Sequence, residues 1–120
     1  MRYTESHEWI SLQGKVGTIG ITDYAQKELG EIVYIELPKV GQKIKAGEEI
    51  CVLESTKAAA DVYAPVSGKV VEVNESLRKS PSSLNQAAES DGWLFRIELS
   101  NLGEWNQLLT QAQYLEQIEK

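Results

Sequence analysis

The chain is poor in the residues that most active-site chemistry needs. Its 120 residues hold one cysteine and one histidine. A lone cysteine, Cys51, excludes an intrachain disulfide and fits a reducing compartment. One histidine and one cysteine cannot close a zinc site without carboxylates. The acidic residues are scattered and show no calcium-loop spacing, so no metal site is expected. A Ser-His-Asp or Cys-His centre would have to bring His7 to a serine or to Cys51 across the fold. Cys51 sits inside the apolar run Ile50-Cys51-Val52-Leu53 and reads as a small buried hydrophobe. A catalytic thiol would want a basic neighbour and an open site. His7 reads as a structural, hydrogen-bonding histidine, and no catalytic residue is expected.

Basic charge is also scarce. The chain has 12 Lys and Arg against 18 Asp and Glu, a formal charge of -6. That balance argues against binding a nucleic-acid backbone, which needs clustered Lys and Arg. It favours solubility and steers the chain toward basic surfaces. No run approaches the ~18 apolar residues of a membrane span. Met1-Arg2-Tyr3-Thr4-Glu5 lacks the apolar region of a signal peptide and the Arg- and Ser-rich character of a transit peptide. A bacterial, cytoplasmic protein is the simplest expectation. Gly17-Thr18-Ile19-Gly20 lacks the third glycine and the strand–turn–helix setting of a dinucleotide fingerprint, and reads as a strand with bends. Glu31, Glu48 and Glu49 read as solvated charges.

With 42% hydrophobic residues, the chain can bury a core. Its length fits a single domain over residues 1–120. Short strands dominate: His7–Leu12, Lys15–Ile21, Glu31–Leu37, Lys69–Val73 and Trp93–Leu99. Asp23 and Gln26 have capping-box spacing, and Gly30 is placed to stop a short helix near residues 24–29. Ser80-Pro81-Ser82-Ser83-Leu84-Asn85 reads as a surface loop. Asn101, with Glu104 following, predicts a C-terminal helix over about 102–119, with an apolar stripe packed on the sheet. Turn-and-strand units opened by Gly41 and by Gly68 form a loose internal echo, so two similar halves would meet as a two-sheet sandwich.

Between those halves lies Glu54-Ser55-Thr56-Lys57-Ala58-Ala59-Ala60, flanked by the apolar runs Ile50–Leu53 and Val62–Ala64. That pattern lifts Lys57 to the tip of a hairpin. A tip lysine builds no core, but an enzyme can acylate it and make it the anchor of a swinging arm.

The segment from Glu54 through Gly68 resembles the lipoyl-attachment region of glycine cleavage system H proteins. Ser6-His7-Glu8-Trp9-Ile10, Gly20–Gln26, Leu29–Val33, Glu36-Leu37-Pro38, Val40-Gly41, Ala46-Gly47-Glu48, Val71–Glu75 and Gly92–Phe95 extend the likeness in order over nearly the whole chain. The resemblance implies a mainly β, lipoyl/biotinyl-domain-like β-sandwich (barrel-sandwich hybrid). It implies lipoate amide-linked to Lys57, Glu54 as a position recognised in lipoylation, and Gly41 and Gly68 as flanking glycines of the cofactor-bearing unit. It also implies a non-catalytic, monomeric carrier. Such a carrier takes an aminomethyl group from a pyridoxal-phosphate glycine decarboxylase to a tetrahydrofolate-dependent aminomethyltransferase. It is reoxidised by dihydrolipoamide dehydrogenase and loaded by lipoylating enzymes. Thr56 and Ala60 replace the family's usual Val and Ser. The stretch 82–91 lacks the usual acidic-Pro-Tyr-Gly, although Asn85 is present, which places this loop against the arm or a partner. A divergent H-like protein serving lipoate relay or another lipoyl-dependent reaction is the alternative reading. A non-carrier module is a third. A biotinyl carrier is disfavoured because no methionine flanks Lys57.

Overall fold

The computed structural model describes residues 1–119. In chain order its elements are β1 (Arg2–Tyr3), β2 (Glu8–Gln13), β3 (Val16–Ile21), α1 (Asp23–Leu29), β4 (Ile32–Glu36), β5 (Lys43–Ile44) and β6 (Glu49–Ser55). They continue as β7 (Ala59–Tyr63), β8 (Gly68–Val73), α2 (Ser76–Lys79), α3 (Ser83–Gln86), β9 (Phe95–Leu99), a 3-10 turn (Leu102–Gln107) and α4 (Gln111–Ile118). Two antiparallel sheets result, a six-stranded one ordered β1-β2-β3-β9-β8-β5 and a three-stranded one ordered β4-β6-β7. The expected two-sheet, mainly β sandwich is what forms.

Alternation along the strands builds the core. Ile10, Ile19, Ile35, Leu53, Val62, Val70, Phe95 and Ile97 are buried in one cluster. Three register shifts break the period of two; the one in β8 falls between Val70 and Glu72 and leaves Val71 and Glu72 exposed in succession. A register shift between Ile32 and Tyr34 leaves both Val33 and Tyr34 half-exposed. Another between Glu49 and Cys51 buries Ile50 and Cys51 in succession. The Gly17–Gly20 stretch is β3 itself, and Gly20 lies opposite the Trp9 ring, where a β-carbon would come within 2.8 Å of the indole nitrogen.

Three local expectations change. First, the N-cap of α1 is Thr22, one residue before Asp23, and its hydroxyl accepts the Ala25 N–H; Gln26 donates to the Asp23 side chain instead. Gly30 ends the helix as expected, at φ +84°. Second, residues 80–85 are not simply a surface loop. Short helices α2 and α3 place Leu77 and Leu84 wholly inside the core; burying two leucines outweighs the turn-rich composition.

Third, the C-terminal helix is confined to α4. The predicted span of 102–119 breaks at Leu108, whose backbone is extended, and Leu109 exchanges backbone hydrogen bonds of 2.9 Å with Tyr3. A capping box of Thr110 and Gln113 then starts a new helix. Asn101 caps the preceding turn through Gly103, while the Glu104 carboxylate accepts from the Ser67 amide and hydroxyl. Trp105 and Leu108 pack on the main core, and Tyr114, Leu109 and Ile118 join Tyr3 and Trp9 in a second cluster.

Gly41 and Gly68 serve the fold for different reasons. Gly41 takes φ +93° with open space beside it, whereas a β-carbon on Gly68 would meet the Glu98 carbonyl oxygen at 2.1 Å. An alanine at 41 costs left-handed strain of about 1 kcal/mol. An alanine at 68 forces β8 away from β9 and costs roughly 2–4 kcal/mol. Denaturant unfolding of Gly41→Ala and Gly68→Ala is expected to give that order; equal losses would contradict it.

Candidate functional site

The β6–β7 hairpin presents Lys57. Glu54 pairs with Ala59, and the Ser55 amide donates to the Ala58 carbonyl at 2.8 Å, closing the turn. The Ser55 hydroxyl oxygen accepts the amides of Lys57 (3.1 Å) and Ala58 (3.0 Å) and donates to the Ala58 carbonyl. A serine suits such a turn because its short side chain reaches its own backbone. The tip is also tied sideways, since the Thr56 amide donates to the Glu31 carbonyl at 3.1 Å. Lys57 is exposed and makes no ion pair among the described residues.

The lysine stem does not stand free. It lies over Gly30, where a β-carbon would sit 3.3 Å from Lys57 Cε and 3.7 Å from Nζ. Gly30 therefore provides both the left-handed end of α1 and an open seat for the stem. Asn85 of α3 holds this junction. Its Oδ1 accepts the Ile32 amide at 2.9 Å, and its Nδ2 donates to the Gly30 carbonyl at 2.8 Å and to Gln26 Oε1 at 2.9 Å. The stretch 82–91 thus packs behind α1, where Ala88 accepts the Trp9 indole N–H and Glu89 accepts the Asp23 amide.

Beside the hairpin runs a cleft of about 360 Å³ between α1 and the β6–β7 strands. Ile21, Leu29, Leu53 and Val62 make it apolar, and Glu8, Glu28 and Asp61 make it acidic. Leu29, in the lining, immediately precedes the glycine under the lysine stem. Glu8 is 1% exposed. Its carboxylate accepts from Thr4 Oγ1 (2.5 Å), Ser6 Oγ (2.6 Å) and the Tyr63 amide (3.2 Å). Burial pushes the Glu8 carboxyl above its usual range, and hydrogen bonds from Ser6, Thr4 and the backbone only partly offset this. His7, on the same wall, is the one non-glycine residue with positive φ (+73°) among the described residues. Burial lowers its pKa and Glu28 works against that shift.

Of the residues singled out in the sequence, Lys57 stands at the hairpin tip. Glu54 lies exposed on the same strand, across from Tyr34 on β4. Gly41 and Gly68 do not approach the lysine: Gly41 donates its amide to Val70, and Gly68 packs on β9. Cys51 is 3% exposed, and burial together with Glu36 pushes its thiol up to about 12, which leaves it inert. Gly30 was legible only as a helix stop, and its role as a seat for Lys57 required the three-dimensional approach. Glu8 carried one available signal, a carboxylate directly before Trp9 and Ile10 at the start of a strand, and all three are buried.

A family model described as glycine cleavage H-protein matches residues 1–120. A glycine cleavage system H protein of Thermotoga maritima is 52% identical over 115 residues, covering 96% of this chain and 93% of that protein. One from Carboxydothermus hydrogenoformans is 51% identical, covering 100% and 92%. The crystal structure of a glycine cleavage system H protein from Mycobacterium marinum superposes with a TM-score of 0.89 at 36% identity, covering 98% of this chain and 95% of that one. The chain belongs to the glycine cleavage H-protein family.

The departures from the family pattern now have places. Thr56 contributes only its amide to the tie with Glu31, and Ala60 sits opposite Leu53 in the hairpin ladder. Neither moves Lys57 out of register. The divergent loop supports α1 from behind rather than lining the cleft.

Two measurements test this support. Asn85→Ala strands the Ile32 amide and the Gly30 carbonyl, and is expected to cost roughly 2–3 kcal/mol in denaturant unfolding. For Glu8, the folded chain keeps a proton that an unfolded glutamate has already released. Stability therefore falls as pH rises from the ordinary carboxylate range through the raised folded pKa. A carboxyl-detected titration should place the Glu8 midpoint above the usual glutamate value. Glu8→Gln should flatten the stability profile over that window.

Proposed function

We propose that this chain is the lipoyl carrier of the glycine cleavage system, with lipoate joined by an amide to Lys57. It is a carrier subunit and not itself catalytic. The observation that carries the reading is the exposed lysine stem resting on Gly30, the residue that follows Leu29 of an apolar, acidic cleft. The residues fit the group: the amine is exposed and makes no ion pair among the described residues, and the cleft has apolar walls for a hydrocarbon arm. When bound, the lipoyl group supplies a dithiol that carries the aminomethyl unit of glycine.

The chain's own residues then do three things. The Ser55 turn and the tie from Thr56 to Glu31 present Lys57 in one frame to a lipoylating enzyme, with Glu54 exposed beside it on β6. The cleft receives the arm between visits, its apolar side excluding water and its carboxylates Glu8, Glu28 and Asp61 facing a protonated amine. The rigid sandwich keeps the arm tethered, so its local concentration at successive active sites stays high. Those sites belong to the decarboxylase, the aminomethyltransferase and dihydrolipoamide dehydrogenase. The relay alternative rested on the divergent 82–91 stretch, and that stretch lies behind α1 rather than on the cleft.

Lipoylation followed by intact mass, together with a reconstituted glycine decarboxylation and exchange assay, tests the reading. The wild-type chain is expected to gain one lipoyl group and support turnover, and Lys57→Arg to do neither. A mass gain that survives Lys57→Arg would overturn the assignment of the lysine. Full lipoylation without turnover would overturn the glycine-cleavage role and favour a relay.

A further inference from the structure

One buried hydroxyl joins the two walls of the cleft and belongs to neither. Tyr114 of α4 is 3% exposed. Its oxygen lies 2.8 Å from His7 Nδ1 and 2.6 Å from Thr22 Oγ1. His7 belongs to the Ser6–Glu8 wall, where it holds its strained backbone. Thr22 caps α1, whose Tyr24, Ala25 and Glu28 form the facing wall. The Thr22 amide also donates to the His7 carbonyl at 3.0 Å, so the walls are joined at their base. The Tyr114 ring is clamped from behind by Tyr3, stacked at 4.8 Å, while His7 packs against Tyr24 at 4.9 Å.

The hydrogen-bond network has a direction. Thr22 is fully buried, and its oxygen already accepts the Ala25 amide at 3.2 Å. Its hydroxyl hydrogen needs an acceptor, and the Tyr114 oxygen is the one within reach. Tyr114 then donates its own hydrogen to His7 Nδ1, which leaves the imidazole neutral with its proton on Nε2. The groups around this pair are Glu28 and Tyr24 from α1, Tyr3 from β1 and Glu89 from the loop.

We propose that Tyr114 is a positioning residue for the cleft: its single hydroxyl fixes His7 on one wall to the N-cap of α1 on the other, so the terminal helix sets how closely the cleft holds the arm. This rests on the reading of the cleft as the shelter of the loaded arm. Tyr114 touches no cargo; it acts through His7 and Thr22.

The test uses full-length lipoylated protein and Tyr114→Phe, which keeps the ring stack and removes only the oxygen. His7 is the chain's single histidine, so its imidazole nitrogens are unambiguous in a long-range nitrogen–proton correlation spectrum. The wild-type spectrum is expected to show the Nε2–H form with a hydrogen-bonded Nδ1. In Tyr114→Phe the Nδ1 resonance should move to that of a nitrogen without a donor. Aminomethyl-loaded protein is then followed by intact mass without the transferase. Cargo loss consumes one water, breaks the carbon–sulfur bond and gives thiol, formaldehyde and ammonium. The variant is expected to lose cargo roughly two- to tenfold faster, the size of one net hydrogen bond.

Leu115→Ala, at an exposed position of the same helix, should change neither readout. Should Tyr114→Phe not fold, Thr22→Val cuts the link to α1 while leaving the Tyr114 donor on His7, so it should speed cargo loss with the Nδ1 resonance still that of a hydrogen-bonded nitrogen. An unchanged His7 spectrum in Tyr114→Phe, or wild-type cargo loss in whichever variant folds, overturns the proposal. Wild-type loss as fast as that of the free dihydrolipoamide adduct overturns the sheltering reading itself, while the His7 spectrum still reports on the hydrogen-bond relay.

Discussion

The hairpin is useful only because its tip is tied to something that does not move with it. That tie is the hydrogen bond from the Thr56 amide to the Glu31 carbonyl, and its worth depends on the junction where α1 ends and β4 begins. A helix of seven residues ending in a left-handed glycine would fray on its own. Here Asn85 satisfies the Gly30 carbonyl, the Ile32 amide and the Gln26 side chain with one planar amide group. The geometry of Lys57, the seat under its stem and the start of the cleft all follow from that bracket.

The electrostatics of the site oppose stability. A carboxylate as buried as Glu8 loses hydration that three protein donors replace only in part. Its neighbour His7 sits in a backbone region that non-glycine residues avoid. Both occur on one wall of one cleft. Strain and desolvation gathered at one place mark this cleft as the functional-site candidate of the fold.

Much of this was legible in the sequence, because it rested on period and punctuation. Alternating apolar residues gave the strands, Gly30 the end of α1, and the paired apolar runs the hairpin with Lys57 at its tip. What was not legible depended on partners distant in the chain. The apolar stripe of 102–119 has helical spacing throughout, yet Tyr3 draws the Leu109 backbone into a bridge and breaks the helix there. The two leucines that pull 76–86 into the core carry no period of their own. Asn85 stood out only as a position shared with the family, and its role did not, since its partners lie 53 to 59 positions away.

The same distinction explains why the 82–91 stretch can differ from its relatives without disturbing the site. Its contacts with α1 and β2 run largely through groups that any sequence supplies or that one residue provides. The Ala88 carbonyl accepts the Trp9 indole N–H, and the Gly92 amide closes back on Ala87. Among the hydrogen bonds of the described residues, Asn85, and Glu89 at the Asp23 amide, act on α1 and its C-terminal junction through side chains. Gly92 has its own reason to be there, because a β-carbon would meet the Ala87 carbonyl at 2.8 Å. A segment bound in this way is constrained at a few points and free between them. It supports the wall of the cleft without contributing to its lining, so change within it can leave the Lys57 hairpin in place.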